Sequence, residues 1–135
     1  MMSGTIYLAG DAGDCAYWRS KFAKAAEDIF GKGCVTNTNI ACAVGSLCDK
    51  YEKEMAATKI RNCKVLVVNL YWLQSDIKAI YDVSIADEIN RSGQNRIYIL
   101  GYGEMPHVPR MSECIWHVGL EEDDVIYFIS NNNLI

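Results

Sequence analysis

Residues 54–86 read EMAATKIRNCKVLVVNLYWLQSDIKAIYDVSIA. The centre of this stretch, Cys63 to Leu70, is apolar at every position except Lys64 and Asn69 and is rich in Val. It is too short to span a membrane, and so it predicts a strand buried on both faces in the middle of a parallel sheet. Beyond it come a short loop, Asp76 and, six residues later, Asp82, within a segment of helical periodicity. Carboxylates six apart on a regular helix differ by about 240° around its axis. They can share a site only if Asp76 stands at the helix start, where Asp is a favoured N-cap. In open α/β sheets ligands bind outside the carboxyl ends of the strands, so this loop and helix start are where a site is expected.

Outward from this stretch the chain alternates. Upstream, Lys50 to Asn62 has helical spacing through Tyr51, Met55 and Ile60, with Glu54 on or near the apolar face. Thr5 to Gly10, TIYLAG, reads as a first strand, and DAGDC after it as turn chemistry. From Ala16 a helix is predicted with Trp18, Phe22, Ala25 or Ala26 and Ile29 on its buried stripe, stopped by Gly31 and Gly33. Cys34 to Thr36 is a short second strand, and Asn37 to Cys48 is an uncharged loop of a length usually kept for function. Downstream, the helix after Asp76 runs to about Arg91, and Arg96 to Tyr102 is a fourth strand. Gly103 to Pro109 holds both prolines and is loop, and one or two helical turns are expected in Arg110 to His117. VIYFI, Val125 to Ile129, reads as a last strand before the tail SNNNLI. The expectation is one domain over residues 1–135: a three-layer α/β fold, flavodoxin/Rossmann-like, with about five parallel strands and right-handed crossovers.

Composition narrows the function. A chain of 135 residues, half of them apolar, can bury one sizeable core. A net charge of −4 argues against a broad basic surface for a nucleic acid polymer and leaves small polar ligands open. With neither an 18-residue apolar run nor a charged-then-apolar leader, a cytoplasmic protein without membrane partners is expected. Cys15, Cys34, Cys42, Cys48, Cys63 and Cys114 include no CxxC pair and are expected to be free thiols.

Three acidic residues stand near strand ends: Glu54 before the central strand, Asp76 after it and Asp82 on the next helix. Carboxylates sharing a pocket suit glycosidic chemistry, one attacking or stabilising an oxocarbenium ion while another handles the leaving group's proton. The plainer alternative is a cap for Asp76 and solvated helix faces for Glu54 and Asp82. His107 and His117 have no metal-ligand spacing with Cys or Asp, and no metal or other cofactor is expected. Cys15 is the thiol best placed to meet a ligand, but no His or other base neighbours it in sequence. The loop from Gly10 through Asp11 to Gly13 resembles a phosphate cradle only in its glycines, and its Asp residues would repel phosphate. Tyr7, Tyr17 and Trp18 could offer a surface on which a base stacks, although aromatic residues at such spacings more often fill a core.

Taken together, IYLAG at 6–10, the Trp18-Arg19 pair and the run from Glu54 to Ala86 resemble the nucleoside 2-deoxyribosyltransferase-like family, over most of residues 5–100. That family carries D-x-G-[ST]-x-x-E-I-G-x-A after its central strand, its Glu being the nucleophile that takes the deoxyribosyl group. The matching stretch here is DIKAIYDVSIA. The resemblance puts Asp76 on the sugar-contacting Asp, Asp82 on the nucleophile, Ala86 on the final Ala and Glu54 on an earlier acid. It also implies a homodimer or larger homo-oligomer, because family members complete the pocket from a neighbouring subunit. The departures are Lys78-Ala79 for Gly-[ST], Asp82 for Glu and Ser84 for Gly. An Asp carboxylate falls roughly 1 Å short of where a Glu would reach, a misplacement that can cost about 10²-fold in rate. Lys78 brings bulk and charge to a place where Gly lets a ligand approach, and it becomes a candidate ligand contact.

The expected function is therefore cleavage or transfer of the N-glycosidic bond of a nucleoside or nucleotide through Asp82, with Asp76 and Glu54 assisting and Tyr7, Gly10, Asp11, Trp18 and Lys78 around the substrate. The alternative, from another class, is a nucleotide-binding module that has lost efficient chemistry on the same fold. A flavodoxin-like carrier is a third alternative, set back by the lack of a Ser/Thr-rich phosphate loop. Substituting Glu for Asp82 is expected to keep or raise activity, and Leu134 and Ile135 to dock across a subunit interface.

Overall fold

The computed structural model describes residues 5–10, 17–36, 47–71, 73, 77–93, 96–104 and 113–135. In chain order its elements are β1 (Ile6–Leu8), α1 (Tyr17–Phe30), β2 (Val35–Thr36), α2 (Leu47–Asn62), β3 (Val65–Asn69), α3 (Ile77–Ser92), β4 (Tyr98–Tyr102), β5 (Trp116–Gly119) and α4 (Glu122–Asn131). The five strands form one parallel sheet in the order β2-β1-β3-β4-β5, with β3 at its centre. This is the flavodoxin-like order. The strand order reverses between β1 and β3, and such a fold opens its ligand crevice at the carboxyl ends of those two strands.

Side-chain alternation along the strands builds a core on each face of the sheet. Ile6, Leu8, Val65, Val67, Leu100 and Tyr102 face one way, into a cluster with Trp18, Phe22 and Ala26 of α1 and Val125, Ile126 and Ile129 of α4. Tyr7, Ala9, Leu66, Val68 and Ile99 face the other way, onto Ala56 and Ile60 of α2 and Ala79, Val83, Ala86 and Ile89 of α3. The architecture is thus three layers, as the sequence predicts. No helix among the described residues is long and apolar enough to cross a membrane.

The C-terminal part departs from the sequence reading. Val125 to Ile129 is not a strand but the middle of α4, and the last strand is Trp116–Gly119, where helical turns were expected; only Glu113 and Cys114 make a short 3₁₀ turn there. The reason is local. Asp124 Oδ2 accepts 3.0 Å hydrogen bonds from the N–H groups of Leu120 and Glu121, which opens a helix ahead of the β-prone run. Within the run, burial of Val125, Ile126 and Ile129 with Tyr127 exposed is the i, i+1, i+4 pattern of a helix. After α4, Leu134 and Ile135 are half-buried against this chain's own core cluster.

Candidate functional site

Tyr7 lies on β1 and Gly10 just beyond it, at the carboxyl edge beside the reversal point of the sheet. Asp82 lies on α3, the helix leaving the neighbouring strand β3. It falls on the buried stripe of α3, three residues after Ala79 and four before Ala86, and its exposure is 0%. Neither a cap nor a solvated face describes it. Asp82 Oδ2 accepts a 2.9 Å hydrogen bond from the Gly10 N–H and a 3.4 Å bond from the Tyr7 hydroxyl. The Lys78 ammonium, one turn earlier on α3, is 3.6 Å from the same oxygen. Residues 72 and 75 positions apart in the chain therefore converge on one carboxylate oxygen.

In this cluster a buried carboxyl group lies against a buried amine. Burial first, and the Asp82 carboxylate second, push the Tyr7 phenol far above its ordinary range, and the Arg19 cation pulls only partly back. Tyr7 thus keeps its proton and serves as a donor throughout the accessible pH range. Lys78 is also nine-tenths buried, so its charge is held out of water together with that of Asp82. Gly10 has φ of 113°, a backbone region open to Gly and closed to most side chains, and that conformation turns its N–H toward Asp82.

Arg19 is the residue whose place the sequence reading missed. It is completely buried on α1, and its Nη1 donates to the Gly10 carbonyl. The signal was present in its spacing, since Arg19 precedes Phe22, Ala23 and Ala26 by three, four and seven residues and so lies in their stripe. Ile29, expected in that stripe, is 60% exposed.

Other expected members lie elsewhere. Trp18 is buried on the opposite side of the sheet from Tyr7, its ring edge-on to Tyr102 with centroids 5.8 Å apart, and Tyr17 is exposed. The alternation of β1 that sends Tyr7 toward α3 sends its neighbours toward Trp18, so these aromatic residues form no common stacking surface. Glu54 is exposed, because it stands two residues, about 200° around the helix, from the buried Ala56. No hydrogen bond or ion pair links it to Asp82 among the described residues. Asp11 and Asp76 lie outside the described residues; α3 begins at Ile77, one position after Asp76. Among the described residues no group of three or more His, Cys, Asp or Glu side chains is arranged to hold a metal ion.

Chemically, the cluster fixes the Asp82 carboxyl group in direction at the carboxyl edge of the sheet, where a ligand is expected. Comparison of the chain with protein-family models, with curated proteins and with solved structures found no match.

Proposed function

We propose that this protein cleaves or transfers the N-glycosidic bond of a nucleoside or nucleotide, with Asp82 as nucleophile. The observation that carries this reading is the convergence of the Tyr7 hydroxyl and the Gly10 N–H on Asp82 Oδ2 at the reversal point of the sheet. The chemistry itself comes from the resemblance to nucleoside 2-deoxyribosyltransferase-like chains. A carboxylate oxygen of Asp82 attacks the anomeric carbon and forms a glycosyl ester as the C–N bond breaks. The bonding pair leaves with the base nitrogen, which takes a proton from an acid, a part our reading gives to Asp76, since Glu54 is exposed on α2. Water or a second base then attacks the same carbon and frees Asp82, giving hydrolysis or transfer respectively. The setting we propose is cytoplasmic, with the protein as a homodimer or larger assembly.

A second reading, a nucleotide-binding module without efficient chemistry, is favoured by the complete burial of Asp82 and the Lys78 ammonium held against it. Base release from a panel of nucleosides and nucleotides, followed by chromatography, separates the two. The enzyme releases base, and Asp82→Asn abolishes release while binding stays within a few-fold. Release that survives in Asp82→Asn eliminates the mechanism, and binding without release by the unaltered protein selects the module.

A further inference from the structure

The structure assigns Arg19 as a positioning residue that sets the orientation and charge of Asp82 through the backbone of Gly10. The inference rests on the reading of Asp82 as a working carboxylate and adds to it a residue on the opposite layer of the fold. Gly10 is gripped on both sides. Its N–H donates to Asp82 Oδ2 at 2.9 Å, and its carbonyl accepts from Arg19 Nη1. Few residues but glycine adopt its φ of 113°, and glycine is also the residue with most freedom to leave that conformation. Something must therefore hold it, and the guanidinium does so from α1. A planar fork with five donors on a buried stem is suited to fixing a carbonyl in direction, which the single rotating ammonium of Lys does less well.

The location makes a purely structural role an incomplete account. A guanidinium with 0% exposure sacrifices its hydration, and an apolar residue in this stripe, between Trp18 and Phe22, would pack at less cost. What the cation adds is its field at the end of β1, which already reaches the Tyr7 phenol. The charged and titratable groups that face Asp82 among the described residues include Tyr7 from β1, Lys78 from its own helix and, by way of Gly10, Arg19 from α1. Both effects of Arg19, the fixed N–H and the positive field, favour the ionised form of Asp82.

The test compares the unaltered chain with Arg19→Met, which keeps the stem without the charge, and Arg19→Lys, which restores charge and one donor. Two readouts are taken: the pH profile of base release, and the titration of the Asp82 carboxyl carbon by NMR with ¹³C-labelled aspartate, assigned through Asp82→Asn. In Arg19→Met the carboxyl should titrate about one unit or more higher, the acid limb of the profile should move the same way, and kcat should fall about tenfold or more with KM within about threefold. Arg19→Lys should return part of each change. An Asp82 titration that is the same in all three proteins overturns the inference, whatever happens to melting temperature. Where Arg19→Met does not fold, a titration in Arg19→Lys that matches the unaltered chain overturns it equally, because the lost fork must loosen Gly10. Absence of base release in every protein defeats the glycosidic reading alone, since the NMR titration still decides the role of Arg19.

Discussion

At the scale of single residues, two of the departures from the signature that the chain resembles form one physical unit. Lys78 replaces the Gly and Asp82 replaces the Glu, and in the fold the two side chains face each other across one helical turn at 3.6 Å. This changes what is expected of Asp82→Glu. Read from sequence, it restores the missing reach and should keep or raise activity. In the structure Asp82 has no exposure and its Oδ2 already meets Gly10, Tyr7 and Lys78, so an added methylene must displace one of them. Overpacking of this kind typically costs about 1–3 kcal/mol. Asp82→Glu alone should therefore lower both melting temperature and base release, whereas Lys78→Gly with Asp82→Glu should recover at least part of each. Thermal melts and release assays on the single and double variants check this, and additive losses would mean that Lys78 and Asp82 are not coupled. Removing the Tyr7 donor is a milder change. A hydrogen bond to a charged group is worth about 1.5–3 kcal/mol, and at 3.4 Å this one belongs at the low end. Tyr7→Phe should cost about tenfold in release and leave the fold intact, as judged by circular dichroism.

At the scale of elements, legibility followed the strength of the local pattern. The run 63–70 could only be an interior strand, and once it was placed, the alternation of helices and strands before it gave the parallel sheet. Asp82 was reached through its place on the helix after that strand and through the signature it matches, although its spacing to Ala79 and Ala86, on the buried stripe of α3, would also have pointed to it. Arg19 had equally good spacing, but charge was taken to mean a solvated face. Glu54 failed the other way, its proximity in sequence to apolar residues hiding its place about 200° from Ala56. The run 125–129 was misread because β-branched and aromatic content says strand while the flanks say helix. Those flanks are specific. Asp124 caps the start, and at the end Asn133 takes a positive φ of 52° while the N–H groups of Asn133 and Leu134 bond to the Ser130 and Ile129 carbonyls at 3.3 and 3.1 Å. Together with the packing of Leu134 in the cluster that holds Ile129, this is a complete Schellman ending, so what looks like a polar tail is the cap of α4. Asn133→Gly should be neutral or stabilising by a few tenths of a kcal/mol to about 1 kcal/mol. Asn133→Val should cost about 1–2 kcal/mol, because a β-branched side chain resists that backbone region. Chemical denaturation of the two variants measures the difference, and equal stabilities would deny the cap its role.

At the scale of the whole molecule, two features are set by packing against the core. The thiols are the first. Cys34 and Cys63 are each 1% exposed, and burial pushes the Cys63 thiol up to about 12, so at neutral pH it is neither ionised nor reachable. Native protein treated with an alkylating agent at pH 8 should keep both unmodified by mass spectrometry, while denatured protein without reductant should titrate six free groups. Two or fewer would mean disulfides. The second feature is the pair Leu134 and Ile135. If they docked across a subunit interface, replacing both by Ala would shift the assembly toward monomer at unchanged fold stability. They are half-buried and pack against the core cluster of their own chain that includes Val125, Ile126 and Ile129. Truncating two half-buried aliphatic side chains removes roughly 1–3 kcal/mol of apolar burial. The double variant should thus melt earlier and unfold at lower denaturant, while light scattering at micromolar concentration gives the same mass as the unaltered protein. A mass that falls to the monomer with the melting temperature unmoved would return these residues to the interface and show that their packing on α4 contributes nothing to the fold.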